Sequence, residues 1–486
     1  MGGSPSLFAN VVVLLWIPIG LTLFFVMKPD KAARVTIFGG LLFLPELVQF
    51  SIPMVPPLGK QTIPYLTVLL GYTLRSPRRV WRLPREKWVL LIVLAMIIDG
   101  LGIGMTNHDP LTYGVWRTIS IPALTLKDGM FVAASSIFRV GIPFFVGSVL
   151  VREASDLEDL LRFLVKLGLI YAFFALIEIR FSPQLHYWVY GYYQHEFAQT
   201  IRFGGYRPTV FLAHGLAVAI FFVVCVLASA TLTRLPRRRI WGMTAKTTTY
   251  ILAAILILCK STGAILYLIA VTPFIWRSTY RAQWRVALVL GVVVFLYPSL
   301  RASDVFPTST IESIGSVAGA DREGSMKFRF ENEDGLLKKA RQRPWFGWGE
   351  YGRNELYGDG GEVVSVTDGE WIIALGISGF VGFFATFGLL LLPVFIAGRR
   401  LRKISDKYDR VLVAATALII AVAAVELLPN SLYSNYSYLL SGALLTVSAT
   451  AMLRPPVRGG GLRAAGDSGH GLTALRPPRQ RGPGLA

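Results

Sequence analysis

Residues 366–397 read VTDGEWIIALGISGFVGFFATFGLLLLPVFIA, and no charged side chain interrupts them from Trp371 to Ala397. As a helix this uncharged run rises about 40 Å, more than the roughly 30 Å of hydrocarbon in a bilayer. A helix that is apolar all round lies either in the core of a large protein or in lipid. Composition chooses lipid: 53% of the 486 residues are hydrophobic, 16% are charged, and the mean hydropathy is +0.53. The chain reads as an integral membrane protein.

Outward from that run, apolar stretches recur at about 7–27, 35–52, 61–75, 88–106, 131–151, 160–179, 209–231, 247–260, 262–276, 286–300, 369–397, 411–428 and 433–452. They predict an all-α polytopic protein of about thirteen spans, within a range of twelve to fourteen. Residues 247–276 form either one tilted helix or two short ones broken at Ser261-Thr262-Gly263. The first run has no basic segment before it and is long enough to span, so it reads as a first span, not a signal peptide.

The formal charge of +20 would suggest nucleic acid in a soluble protein. Here the excess sits in short loops, at 28–34, 75–87, 234–246, 277–285 and 399–410, so no nucleic-acid partner is expected. Alternating spans put these loops inside if the N-terminus is outside and the C-terminus cytoplasmic. Residues 1–452 then form one membrane domain. The remainder, 453–486, has six Arg, one acidic residue and much Pro and Gly, and is expected to be a disordered basic tail. Cys225 and Cys259 lie in apolar runs without ligand spacing, and neither metal nor cofactor is expected.

Polar chemistry is expected on the outer face, above all in the large loop at about 301–368 between spans 10 and 11, with nine Lys or Arg from Arg301 to Thr367. Arg202 and Arg207 precede a span and His214 lies in its first turns. They read either as phosphate ligands, which the guanidinium fork suits, or as headgroup-level anchors. Lys260 near a span end marks a cavity or a lipid phosphate, or snorkels. An amphipathic helix is expected up to about Arg343, with Phe328, Leu336, Leu337 and Ala340 on its apolar side, ended by Pro344. After it, Trp345 and Trp348 in PWFGWG read as interface anchors or sugar-stacking rings. Asp368 and Glu370 stand at the mouth of the next span, where a carboxylate either caps the helix or serves as general base. Glu46, Asp99, Arg139, Glu178 and Glu426 should point into the bundle, Arg139 pairing with Asp99 or Glu46. Ser155 with Glu158 reads as a capping box.

Taken in order, these features resemble the bacterial O-antigen ligase and O-antigen polymerase family of polytopic glycosyltransferases. The resemblance runs from about Met130 to Phe383. Its marks are Arg207, Phe211 and Gly215 with His214 beside them, then Arg329, then Arg343 ahead of Pro344, Phe346, Gly347 and Gly349, and finally Asp368-Gly369. Two positions depart from the family. Asp368-Gly369 stands where ligases carry a His, usually followed by Asn, and Lys260-Ser261-Thr262-Gly263 stands where Ser-Arg-Gly is common. The resemblance implies a GT-C-like bundle in the bacterial inner membrane. It implies a glycan donor carried on undecaprenyl diphosphate, and a glycan or lipid-glycan acceptor, in lipopolysaccharide or exopolysaccharide assembly. Arg207 and Arg329 would stabilise the leaving diphosphate and Asp368 would take the acceptor proton. Arg202, His214, Lys260, Arg343, Trp345, Trp348 and Glu370 would bind substrate. A transporter or flippase of lipid-linked oligosaccharide is the alternative and predicts a central polar pathway through many helices. A ligase-like protein without activity is a third reading.

Overall fold

The computed structural model describes residues 4–80, 86–202, 204–303, 320–431 and 435–453, so the expected basic tail lies outside the described residues from 454 onward. The first half of the chain contributes α1 (Leu7–Val26), α2 (Pro29–Phe43), α3 (Ile63–Arg75), α4 (Lys87–Thr106), α5 (Leu126–Leu150), α6 (Ala154–Phe181) and α7 (Gly215–Leu232). The second half contributes α8 (Ala245–Leu258), α9 (Thr262–Arg277), α10 (Tyr280–Ala302), α11 (Ala320–Ala340), α12 (Glu370–Leu401), α13 (Lys407–Glu426) and α14 (Asn435–Leu453). Among the described residues nine of these, α1, α4, α5, α6, α7, α10, α12, α13 and α14, are long and apolar enough to cross a bilayer. The protein is a mostly helical multi-pass membrane protein. Beside the helices stand four two-stranded antiparallel hairpins, among them β5 (Ile201–Arg202) with β6 (Gly205–Tyr206) and β7 (Arg239–Ile240) with β8 (Met243–Thr244).

Each expected span overlaps a helix, but α2, α3, α8 and α9 are shorter than the nine, and several boundaries move for local reasons. The stretch 35–52 is not one helix: α2 stops at Phe43, because Pro45 disfavours helix in the residue before it, and Gln49–Ile52 pairs as a strand with Val55–Gly59. The run 247–276 is two helices, α8 and α9, separated at Lys260, which has φ 54. The cap of α6 is Glu153 with Asp156 in the box, not Ser155 with Glu158. Glu158 instead binds Arg162 Nη2 at 2.7 Å.

α7 is apolar on all sides and sits at the centre, with 83% of its residues buried against 22% for α1 at the periphery. Small residues set the closest crossings, as expected where lipid supplies no hydrophobic drive between helices. A Cβ on Gly147 of α5 would lie 2.0 Å from the Leu439 carbonyl oxygen of α14, and one on Gly442 would lie 1.9 Å from that of Phe144.

α12, whose sequence opened this reading, is broken. Gly379 has φ 59 and ψ −160, a conformation open in practice only to glycine, and the helix restarts beyond it. The break frees backbone groups, and the PWFGWG turn takes them up. Trp348 N donates to Gly376 O at 2.9 Å, and Gly349 N to Ile377 O at 2.9 Å. In return Phe380 N donates to Pro344 O at 2.7 Å and Val381 N to Trp345 O at 3.2 Å. Irregular backbone at this depth is tolerable only when protein satisfies it. The turn therefore plugs a broken helix, where the sequence suggested a tight turn with its aromatics at the interface or stacked on sugar rings. Trp348 is buried, its indole N–H donating to Lys339 O at 2.9 Å, and only Trp345 stays exposed. Asp99 of α4 lies beside Ser378 at the same break.

In the large loop, α11 ends at Ala340, short of the expected Arg343. Leu336, Leu337 and Ala340 do form its apolar side, but that side packs into the main core, where the sequence suggested a helix lying on the membrane surface, and Phe328 is exposed.

Candidate functional site

The chain leaves α6 at Phe181 and does not enter α7 until Gly215. Pro208 keeps Arg207 out of helical backbone, and residues 207–212 are held from several sides in a non-helical path. Glu178 Oε2 accepts from Thr209 N at 2.8 Å and from Val210 N at 2.7 Å, while its Oε1 accepts from Leu185 N at 3.0 Å. Tyr171 Oη accepts from Phe211 N at 3.1 Å, and Lys60 Nζ donates to Phe211 O. Gln194 Nε2 donates to Thr209 Oγ1 at 3.1 Å and to Val210 O at 3.2 Å. Val210 has φ 51, costly for a β-branched residue and sustained here by those bonds. Glu178 thus pairs with backbone N–H groups, not with the cation expected of a membrane carboxylate. Lys60 binds Glu46 at 2.9 Å, and Arg139 turns to Glu370 at 3.4 Å, away from Asp99 and Glu46.

This rigid path presents Arg207. The side chain is 7% exposed, its Nε meets no acceptor among the described residues, and no carboxylate forms an ion pair with it there. Burial first, and then Arg202, push its pKa down to about 10, so it remains a cation at neutral pH. A buried guanidinium without a counter-ion is expensive, and such groups gather where a ligand will supply the charge.

Several elements converge on it. Glu426, at the end of α13, lies within electrostatic range of both Arg207 and Arg329 and bonds Tyr267 and Asn430, the latter at 2.7 Å. Arg329 of α11 pairs its Nε with Asp368 Oδ2 at 3.1 Å, both half exposed. The helix cap at this mouth is Gly369, not Asp368. Lys260 Nζ donates to Arg202 O at 2.9 Å, tying the α8–α9 corner to the β5–β6 hairpin. His214 is the cap of α7, its Nδ1 accepting from Leu216 N at 3.0 Å, and its ring lies 4.6 Å from that of His195. A cavity of about 180 Å³ opens beside the segment, between Leu212, Ala213, Gln61 and Asn435.

Of the residues singled out in the sequence, the fold thus gathers Arg202, Arg207, His214, Lys260, Arg329 and Asp368 at one end of the bundle. Others are committed elsewhere. Arg343 grips both oxygens of Asp109 at 2.8 Å and bonds Thr106 O and Asn107, pinning the loop to the end of α4. Trp348 lies under that guanidinium, 4.4 Å from ring to Arg343 Cζ. Glu370 is buried against Arg139. Glu426 was expected only as an internal ion-pair partner; Tyr267, Asn430 and His195 carried no signal in the sequence.

His214 also yields a pH prediction. Burial, then Arg207, His195 and Arg202, lower its pKa to about 3, so the folded ring stays neutral where the unfolded ring, near 6.5, takes a proton. The stabilising difference is present above about pH 6.5 and is lost as pH falls toward 3, about 3 kcal/mol by pH 4 at most. His214→Asn keeps a capping side chain and should flatten the fall of the melting temperature between pH 6.5 and 4. An unchanged slope in that variant would refute the assignment.

The nine apolar helices among the described residues, with cations and carboxylates gathered at one end of the bundle, define a multi-pass membrane protein with a polar cluster at that end. No family model matches the chain, and no curated protein matches it.

Proposed function

We propose that the protein is a membrane glycosyltransferase of the O-antigen ligase or polymerase kind, acting on a glycan carried by undecaprenyl diphosphate. In this reading thirteen spans alternate across a bacterial inner membrane in a GT-C-like bundle, with the N-terminus outside, the C-terminus cytoplasmic and the Arg207 site facing out. The supporting observation is the buried cation at Arg207, fixed by backbone bonds and making no ion pair among the described residues, with Arg202 beside it and Glu426 within electrostatic range of both Arg207 and Arg329.

The chemistry follows from charge. An acceptor hydroxyl attacks the anomeric carbon, the bond from that carbon to the diphosphate oxygen breaks, and the diphosphate leaves with the electron pair. Arg207, fixed beforehand, stabilises that growing negative charge without reorganising. The acceptor's proton passes to Asp368. In the resting site Asp368 is held by Arg329. The donor's diphosphate competes for that arginine, so donor binding turns Arg329 toward the leaving group and frees Asp368 for the acceptor.

The test is glycan assembly in cells and turnover in isolated membranes. Arg329→Ala should cut turnover about 100-fold, and Asp368→Asn by about 10²- to 10⁴-fold, with Asp368→Glu partly active. Normal glycan length and amount from both inserted, folded variants would sink the reading. Transport of lipid-linked oligosaccharide into liposomes without a change in glycan length would favour the flippase instead.

A further inference from the structure

At the end of α7 opposite Arg207 lies a second cavity, of about 470 Å³, lined by Thr233, Arg234, Arg238, Lys246 and Trp276. It is formed where α7 ends, the β7–β8 hairpin turns, α8 begins and α9 finishes. Arg234 builds its wall: Nη1 donates to Ile275 O at 2.8 Å and to Ser278 O at 2.7 Å, stapling the last turn of α9 to the end of α7. Arg238 uses only Nε, toward Leu235 O at 3.3 Å, and Lys246 extends over the Tyr250 ring. Among the described residues no carboxylate pairs with these three cations. The neighbouring acids Glu158 and Asp159 are taken by Arg162 and Arg237.

Two further observations point to a ligand. The Trp276 indole nitrogen is buried without a partner among the described residues, and so is Ser278 Oγ beside it. The cavity also stands at the level where a membrane helix ends, next to Trp241, which is exposed at the hairpin tip with φ 47. Tryptophans at that level sit among headgroups. An uncompensated basic hollow between helix ends, with free N–H and O–H donors, fits a phosphodiester on a glycerol backbone.

We propose that this cavity is a binding site for one anionic glycerophospholipid, its phosphate held by Arg238 and Lys246 and its acyl chains lying along the bundle. The site is independent of the catalytic reading and occupies the opposite face.

The test is native mass spectrometry of the full chain taken from detergent micelles titrated with phosphatidylglycerol, phosphatidylcholine or inorganic phosphate. Wild type should retain one phosphatidylglycerol and no phosphatidylcholine. Removing one cation, by Arg238→Gln or Lys246→Gln, should weaken retention roughly fivefold, and removing both about thirtyfold. Both side chains are exposed at the rim, so the variants should fold as wild type. Lys28→Gln with Lys31→Gln, exposed at the start of α2, should leave retention intact. Equal loss in that control pair, or no loss in the Arg238/Lys246 pair, would mean diffuse surface charge and overturn the site. Displacement of the lipid by inorganic phosphate at equal concentration would make free phosphate the ligand and overturn the lipid assignment.

Discussion

Arg207→Met should lose about 10²- to 10³-fold in glycan turnover while the protein melts no lower than wild type. The two halves of that result come from one observation. Arg207 is buried, its Nε finds no acceptor and no carboxylate pairs with it among the described residues, so the folded state bears the cost of a desolvated cation. An apolar side chain of similar length removes that cost, and replacing buried charges by well-packed apolar groups is often neutral or stabilising by about 1–4 kcal/mol. A structural arginine behaves in the opposite way. Arg343, with Asp109, Asn107 and Thr106 all bonded to it, should lower the melting temperature when changed to Met, because it leaves a carboxylate and a carbonyl without their donor. Arg207→Lys separates charge from geometry: it keeps the cation but loses the planar fork, so turnover should lie between the two. The measurement is turnover in membranes beside thermal unfolding in detergent. A variant at Arg207 that melts well below wild type and keeps its turnover would assign the residue to the fold.

The contrast between those arginines marks how far the sequence could be read. Apolar length gave the helices, because a membrane span needs nothing beyond its own residues to satisfy its backbone. Arg207 was legible as a guanidinium at the entry to a span, and Arg329 through the order of motifs that carries the resemblance, since the carboxylates Glu331, Glu333 and Asp334 crowd it in the sequence. What could not be read was which polar group meets which. Glu178 looked like a carboxylate in search of a cation, yet its partners are the N–H groups of Thr209, Val210 and Leu185, a match made by a turn that Pro208 and the strained Val210 create. Arg343 and Arg207 both sit beside the aromatic or apolar motifs that mark the site. Only the fold brings Asp109 to the first and leaves the second bare. Glu426 joins the site from the end of α13, more than two hundred residues from Arg207, and no local pattern announces such a meeting.

The glycines of GISGFVG held the same ambiguity, and the second large effect is expected there. Read as a spaced row, Gly376, Gly379 and Gly382 suggest a smooth face for close helix packing. Gly379 instead holds a backbone conformation that other residues do not adopt. A Cβ there would lie 2.4 Å from Trp345 C and 2.6 Å from Pro344 O, both backbone atoms of the turn that fills the break. Gly347 answers from the turn's side, with φ 61 and a Cβ position 2.5 Å from the Ile377 carbonyl. Gly379→Ala must therefore either strain the kink or push the turn out and forfeit the bonds from Phe380 N and Val381 N. The two routes cost about 3–5 kcal/mol, a large part of the 5–15 kcal/mol or so that holds a typical domain together. Gly388→Ala in the same helix is the control: its Cβ would meet Ile92 Cδ1 at 3.5 Å, ordinary contact, and alanine is the better helix former by about 1 kcal/mol. The expected result is a steep fall in melting temperature for Gly379→Ala and none for Gly388→Ala. Because the break orients the first turns of α12, and Asp368 stands at their mouth, Gly379→Ala should also lose turnover in the fraction that remains folded. If the two alanine variants melt together, α12 runs straight through Gly379, and the turn at Pro344–Gly349 must find its hydrogen bonds elsewhere.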